Sequence, residues 1–476
     1  MLHLSDSVSR IVLRMSRMLA TLILLSGCSA GPDRPPNIVF FLVDDLGWKD
    51  VGFMGSDYYE TPHIDQLASE GMVFTNAYAN APNCAPTRAC LMSGQYTPRH
   101  GVYTVGNPDR GESKNRRLIP TPNKMTLDTD IVTLAEALSA AGYVSASMGK
   151  WHLGTDPAHG PLAQGFDVNI AGHSAGSPRS YFSPYRNPFL PDGPEGEHLT
   201  DRLIDEAVAF IEAHREGPFF LYLPFYAVHT PLQAKAELIA KYEQKPGSNG
   251  QHHPTYAGMV ENTDTGIGRV LETLDRLDLT DETVVIFFSD NGGYGPATSM
   301  APLRGSKGML YEGGIRVPMI VRWPGRVKPG GQSDTPVIGV DFYPTLLEIA
   351  GLPAPADQPL DGLSLLPLLT GDGAMAPREA LFWHFPAYLQ RYAGIEGPWR
   401  TTPAGAVRAG DWKLIEFFED GRLELYHLAE DIGERRNLAE HMPEKRQELY
   451  ELMLQWRREL QAPVPTELNP EYDPDA

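Results

Sequence analysis

The sequence predicts an α/β protein: a large, mostly parallel sheet sandwiched by helices, with a smaller C-terminal α+β subdomain carrying an antiparallel sheet. Three observations carry this. Apolar runs alternate with amphipathic segments over most of the chain, the rhythm of strand–helix–strand units. Several of those runs are continuous rather than alternating, as strands buried on both faces are. Near Ala376 the style changes to hairpin-like strands around a Gly turn.

The elements follow in order. Asn37 to Val43 is a continuous apolar strand. Pro62 to Glu70 suits a helix stopped by Gly71, with Met72 to Tyr78 extended after it. Ile131, Leu134, Ala135 and Leu138 recur at helical spacing behind Asp130 as N-cap, with Gly142 at the stop. Strand Tyr143 to Met148, helix Thr200 to His214 and strand Pro218 to Phe225 continue the alternation. Helix Tyr256 to Leu277 then leads to strand Thr283 to Ser289. Two Gly/Pro-rich stretches, 104–128 and 171–199, interrupt this rhythm, and loops of that length in a compact domain are usually functional or disordered. Val407 to Phe418 and Leu423 to Leu428 read as a hairpin, and a helix over Pro443 to Leu460 precedes a frayed tail. The expected organisation is a signal segment over 1–27, a tether over 28–36, a catalytic α/β domain over 37–375 and the subdomain over 376–476.

The chain carries 40 basic against 60 acidic residues, a formal charge of −20, with no basic stripe, which argues against a nucleic-acid partner. Anion binding must therefore come from a local basic cluster working against the overall field. Arg10, Arg14 and Arg17 precede the apolar run Met18 to Leu25, too short to span a bilayer, and then Leu25-Ser26-Gly27-Cys28. This resembles a bacterial lipobox. It implies export, to the periplasm or to an outer-membrane-anchored lipoprotein, with membrane attachment only through a lipid on Cys28. An ordinary cleaved signal with an incidental cysteine is the other reading. Only Cys84 and Cys90 remain, so a disulfide framework does not organise the fold.

The predicted strands end in chemistry. Asp44-Asp45, Gly149-Lys150-Trp151-His152, His229-Thr230-Pro231 and Asp290-Asn291-Gly292-Gly293 each follow a strand. Ligands of open parallel sheets bind at that C-terminal edge. Asp44, Asp45, Asp290 and Asn291 offer oxygen donors, which select a hard cation such as calcium or magnesium over zinc. A single Asp-Asp pair is more often a turn or helix cap, but two pairs at equivalent strand ends favour a metal.

The segment Cys84-Ala85-Pro86-Thr87-Arg88-Ala89-Cys90-Leu91-Met92-Ser93-Gly94 resembles the signature of type I sulfatases, members of the alkaline phosphatase superfamily, in which the cysteine is oxidised to formylglycine. Pro86 suits a first helical position, which sets Cys84 at a helix N-terminus favourable to anions. Gly149 to Gly154 is similar to the family's second signature, and Leu303 to Gly308 with Glu312 to Pro318 to the segment supplying its second lysine. The likeness extends over most of residues 37–430 and is greatest to bacterial exported carbohydrate sulfatases and arylsulfatases.

The resemblance implies one calcium ion held by Asp44, Asp45, Asp290, Asn291 and the modified Cys84. It implies catalytic and sulfate-holding roles for Arg88, Lys150, His152, His229 and Lys307, and a formylglycine-generating maturation enzyme as partner. It further implies that the aldehyde hydrate attacks sulfur, that His229, alone or with Lys307 as its helper, protonates the leaving alcohol, and that His152 helps the second hydroxyl expel sulfate. It implies too that either His173 or Ser174 contacts the formylglycine, and the sequence does not choose between them.

The implied substrate is a sulfated carbohydrate of galactose or N-acetylgalactosamine type, cleaved in exo fashion. Tyr181, Tyr185 and Arg186 are expected to wall the pocket, His384 and Arg391 to hold sugar hydroxyls, and Trp383 and Phe385 to pack the subdomain interface. The alternatives are an arylsulfatase of broad specificity, a phosphodiesterase or phosphonate monoester hydrolase of the same superfamily, and a lipoprotein that binds sulfated glycans without cleaving them.

Overall fold

The computed structural model describes residues 34–373, 375–393 and 395–475. The expected signal segment, the expected anchor at Cys28 and most of the expected tether lie outside the described residues. The following concerns the unit Pro36–Ala476.

An eight-stranded sheet organises the chain. Its strands are β1 (Asn37–Val43), β2 (Met72–Phe74), β3 (Val144–Met148), β4 (Val168–Ile170), β5 (Phe219–Pro224), β6 (Thr283–Ser289), β7 (Met319–Arg322) and β8 (Gly331–Ser333), in the order β4-β3-β5-β1-β6-β7-β2-β8. β1 runs parallel to β5 and β6, and only β7 opposes its neighbours. The register between β1 and β6 pairs Val43 with Ser289, so Asp44-Asp45 and Asp290-Asn291 leave adjacent strands at one level.

Helices cover both faces, which explains the continuous apolar runs. Val39, Phe41 and Val43 share a core with Leu203, Ile204 and Ala207 of one helix (Leu199–His214) and Ile267, Val270 and Leu274 of another (Pro254–Arg276). Ile38, Phe40 and Leu42 meet Ala85, Ala89 and Leu91 of the Cys84–Ser93 helix, with Leu134, Leu138, Phe342 and Leu346 beyond. Fully burying each of the larger of these side chains, the valines, leucines, isoleucines and phenylalanines, contributes roughly 1.5–3 kcal/mol. No helix of the described residues is long and apolar enough to cross a membrane.

The structure revises several expectations. The helix placed behind Asp130 spans Leu134–Ser139 and is capped by Thr133, whose hydroxyl accepts from Glu136 N at 3.2 Å while the Glu136 carboxylate accepts from Thr133 N at 2.7 Å. This Thr-x-x-Glu box satisfies two free N–H groups at once and outcompetes a cap three residues earlier. Pro86 is the third helical residue, and Cys84 itself begins the helix. Val407 to Phe418 is not one strand but β10 (Ala404–Ala409) and β11 (Trp412–Phe417), turned at Gly410, whose φ is 56°. With β9 (Leu381–Phe385) and β12 (Arg422–His427) they form a four-stranded antiparallel sheet in the order β9-β10-β11-β12.

The closing helix (Pro443–Leu460) buries Leu449, Met453 and Trp456 in one core with Leu381, Trp383 and Phe385 from that sheet and Tyr78, Cys90 and Ile338 from the α/β part. Trp383 Nε1 donates to Ala79 O at 2.8 Å, just upstream of Cys84. The tail is not frayed: Ile119 N donates to Glu467 O at 2.9 Å, and Asn469 Nδ2 donates to Ser113 O and Arg116 O, both at 2.8 Å. It is thereby tied to the 104–128 loop.

Candidate active site

The ends of β1 and β6 build the floor of the site. Asp45 sits at φ 63°, a left-handed conformation uncommon outside glycine that recurs at functional sites. Its backbone N–H donates to Asp290 Oδ1 at 3.2 Å, and Asn291 Nδ2 donates to Asp45 Oδ1 at 2.8 Å. Asp44, Asp45, Asp290 and Asn291 are all fully buried.

Cys84 enters this cluster from the first turn of its helix and is buried. One turn on, Arg88 directs Nε and Nη2 to Asp290 Oδ2 at 2.9 and 2.7 Å, and Nη1 to the Lys150 carbonyl. Its fork is thus committed to a carboxylate and a carbonyl at the floor. At the end of β3, Gly149 has φ 131°, and a β-carbon there would lie 2.0 Å from Pro224 O. Glycine lets β3 close on β5, so that Lys150 N reaches Pro224 O at 2.7 Å and Lys150 Nζ reaches Asp44 Oδ2 at 2.6 Å. Lys307 places Nζ 2.8 Å from Asp45 Oδ2 and 3.5 Å from Cys84 Sγ. His229, beyond β5, brings Nε2 to 3.7 Å from Asp45 Oδ2 while Nδ1 lies 2.8 Å from Thr230 O.

Burial and this ring of charge tune the groups. Burial raises Asp44 well above the usual carboxylate range, aided by Asp290 and opposed by Lys150. For Asp45 burial acts the same way, but Lys307, His229 and Lys150 outweigh it and hold the carboxyl well below its usual range. Burial pushes the Cys84 thiol up to about 11, against Lys150 and Lys307. His229 falls to about 3 through burial, with Lys307 next. His152 is driven well below the ordinary imidazole range by burial and then by Lys150 and Arg88.

The floor fits a hard divalent cation. Among the described residues Asp44 Oδ1 and Asn291 Oδ1 are buried without a hydrogen-bond partner, a state that costs roughly 1–3 kcal/mol each and more for a charged oxygen. Asp44, Cys84 and Asp290 present ligand atoms within 4.8 Å of one another, and so do Asp45, Cys84 and His229. The oxygen-rich set matches calcium or magnesium chemistry.

Above the floor opens a cavity of about 460 Å³, lined by Cys84, His152, His229 and Lys307 together with Ser177, Tyr294, Arg110, Tyr392 and Arg400. The structure thus brings the expected catalytic and metal residues to one place. The expected sugar contacts fare differently. His173 accepts from His152 N through its carbonyl at 2.9 Å, but its ring turns to Phe189 and does not line the cavity. Ser174 is exposed, tied to Thr155 through its backbone. Neither reaches Cys84; Gly176 and Ser177 border the cavity instead, and a β-carbon on Gly176 would lie 2.4 Å from His152 Cε1.

His384 is a correction. It lies on a fully buried strand, its Nε2 2.9 Å from Pro463 O and its ring among Tyr103, Phe418 and Trp456, and it does not line the cavity. Arg391 is also corrected: it is exposed, donates to Ile395 O at 3.3 Å, and borders a separate cavity with Gly111 and Trp399. Tyr181 is buried, its hydroxyl on Tyr226 O and 2.9 Å from His229 O, so it braces the His229 loop. Tyr185 is likewise buried against Glu197, and Arg186 is exposed beside them. Arg110, Tyr294, Tyr392 and Arg400 went unnoticed in the sequence, since no motif marks them.

A thiol at a helix N-terminus, over a carboxylate cradle ringed by lysines and histidines at the C-terminal edge of a parallel sheet, defines a hydrolase of anionic esters. The sulfatase profile matches residues 36–352, and a second, N-sulphoglucosamine sulphohydrolase C-terminal, matches 306–461. A sulfatase of Formosa agariphila is 35% identical, covering 95% of this chain and 93% of the relative. Mouse steryl-sulfatase is 33% identical (96% and 88%), and human N-acetylgalactosamine-6-sulfatase 33% (93% and 89%). Among solved structures, Ps i-CgsB in complex with k-i-k-neocarrahexaose superposes with a TM-score of 0.75 at 30% identity, covering 92% of this chain and 95% of that one. The chain belongs to the sulfatase family and is a sulfuric ester hydrolase.

Proposed function

We propose that this enzyme removes sulfate from a terminal galactose- or N-acetylgalactosamine-type sugar, using formylglycine made from Cys84 and one calcium ion. The observation that carries the reading is the position of Cys84, 3.5 Å from Lys307 Nζ and within ligand distance of Asp44 and Asp290. Relatives named N-acetylgalactosamine-6-sulfatase, and a neighbour solved in complex with k-i-k-neocarrahexaose, support the sugar. The lipobox-like Leu25 to Cys28 supports export and a lipid anchor, and the Cys84 motif supports a maturation enzyme as partner.

Calcium on Asp44, Asp45, Asp290 and Asn291 would supply Lewis-acid stabilisation of sulfonyl oxygens, and formylglycine an oxygen nucleophile where Sγ now stands. The protein's own groups do the rest. Arg88 and Lys150 fix Asp290 and Asp44. Lys307, held cationic by Asp45 against the effect of burial, faces the charge that develops on the sulfate. His152, neutral through burial, is in the form a proton acceptor requires. His229 lines the cavity, where an anionic substrate adds the charge that favours its protonated form.

A sulfate-release screen tests the proposal. Galactose and N-acetylgalactosamine sulfates are expected to outpace glucosamine sulfates and to match or exceed nitrophenyl sulfate in kcat/KM. Cleavage of the aryl ester with no action on any sulfated sugar overturns the substrate class.

A further inference from the structure

Beyond the residues that hold the reacting group, the same cavity has a second cationic wall. Arg110 and Arg400 both line it. Arg88, Lys150 and Lys307 each hold a carboxylate, whereas among the described residues neither Arg110 nor Arg400 has a carboxylate within 4.0 Å. Arg110 is steadied by a bond from its Nη2 to Val105 O, and its own carbonyl accepts from Arg116 Nη1 at 2.7 Å. The Arg400 guanidinium carbon lies 4.0 Å from the centre of the Tyr392 ring, which packs edge-on against Tyr294 at 5.2 Å. Arg400 Nε is buried with no hydrogen-bond partner among the described residues. Gly308, beside Lys307, makes room for it, since a β-carbon there would lie 2.5 Å from Arg400 Nε.

Both guanidinium groups are partly desolvated, and Arg400 is near enough to Arg110 to oppose its charge. Among the described residues the carboxylate that acts on Arg400 is Asp45, from beyond ion-pair distance, so these two like charges leave room for an anionic ligand. The scissile sulfate already has Lys307 and the metal cradle. A planar fork matches the paired oxygens of a sulfate or carboxylate.

We infer that Arg110 and Arg400 form a subsite for a second anionic group on the sugar, a further sulfate ester or a uronate carboxylate, so that the preferred substrate is a multiply charged saccharide. This rests on the sulfatase reading of the site and adds to it a specificity determinant.

Binding by the full-length Cys84→Ala variant, which reads affinity without turnover, tests the inference. Calorimetry compares N-acetylgalactosamine 6-sulfate, N-acetylgalactosamine 4,6-disulfate and a disaccharide joining the 6-sulfated sugar to a uronate. One of the two doubly charged ligands is expected to bind about 10- to 100-fold more tightly than the monosulfate, and which one identifies the second group. Adding Arg110→Gln or Arg400→Lys should bring that ratio close to one. Lysine keeps the charge and the packing on Tyr392 but loses the fork, so the variant tests recognition without removing the side chain. Equal affinity for all three ligands, no binding of any at millimolar concentration, or variants that weaken all three alike would overturn the subsite. Sulfate release by protein with Cys84 intact reports on the parent reading separately. Turnover without a preference for double charge removes only the subsite, and preference without turnover removes only the proposed activity.

Discussion

Lys307 Nζ lies 2.8 Å from Asp45 Oδ2 and 3.5 Å from Cys84 Sγ, so one ammonium joins the metal cradle to the position of the nucleophile. Removing it strips charge from the transition state and leaves the buried Asp45 without its partner. Lys307→Ala is expected to lower kcat about 10²- to 10³-fold, the scale of losing one preorganised electrostatic contact. It should also lower the melting temperature more in chelator than in calcium, because the cation then becomes the main compensation for Asp45. A melting temperature unchanged under both conditions would show that the pair carries no such coupling.

Asp44 Oδ1 and Asn291 Oδ1, unpartnered among the described residues, make a prediction about the metal. Exhaustive chelation should abolish sulfate release, and calcium should restore it better than zinc, given oxygen donors. Calcium at a hundred times its dissociation constant should add about 2.7 kcal/mol of stability. Full activity in protein shown metal-free by elemental analysis contradicts the assignment.

His229 lines the cavity, with Nε2 3.7 Å from Asp45 Oδ2. If it protonates the departing alcohol, His229→Ala should cost a sugar sulfate about 10²- to 10⁴-fold in kcat and an activated aryl sulfate far less. Equal losses on both substrates move the proton donor to Lys307.

The relocation of His384 into the core carries a pH prediction. Burial, with Arg457 next, lowers it to about 3 from an ordinary 6.5. As pH falls through 6.5 the unfolded chain takes up a proton that the folded chain refuses, so this contribution to stability is present above 6.5 and is lost on acidification. Between pH 7 and pH 5 His384 should account for about 2 kcal/mol of that loss. Urea midpoints of His384→Asn should therefore depend less steeply on pH over that interval, and an identical slope would show that another group carries the effect.

The parts of this enzyme legible in sequence are those whose chemistry is local. The run Asn37–Val43 is continuous because both faces of its strand are buried, and the Asp-Asp and Asp-Asn pairs stand out because they end two such runs. The Cys84 segment is contiguous and dense in specified residues. The residues misread or missed are those placed by long-range packing. His384 could not be told from a pocket residue, because a strand buried on both sides gives no alternation to sort its faces. Arg110 belongs to an irregular loop and Arg400 to a three-residue strand (Trp399–Thr401) far along the chain, and the two meet only when the C-terminal part of the chain docks beside the Cys84 helix. The tail looked frayed because its partners, Ser113 and Arg116, lie in a loop with no pattern of its own.

The central claim is that residue 84 is the modified nucleophile of a sulfate-ester hydrolysis. Sulfate release from N-acetylgalactosamine 6-sulfate, measured side by side for the wild type and Cys84→Ala after purification from a host that makes formylglycine, tests it most directly. Mass spectrometry of the peptide containing residue 84 supplies the companion reading. The account predicts an aldehyde in place of the thiol, robust release by the wild type, and none above background for a variant that remains folded. Wild-type rates from Cys84→Ala, or full activity from protein whose Cys84 is an unmodified thiol, would contradict it.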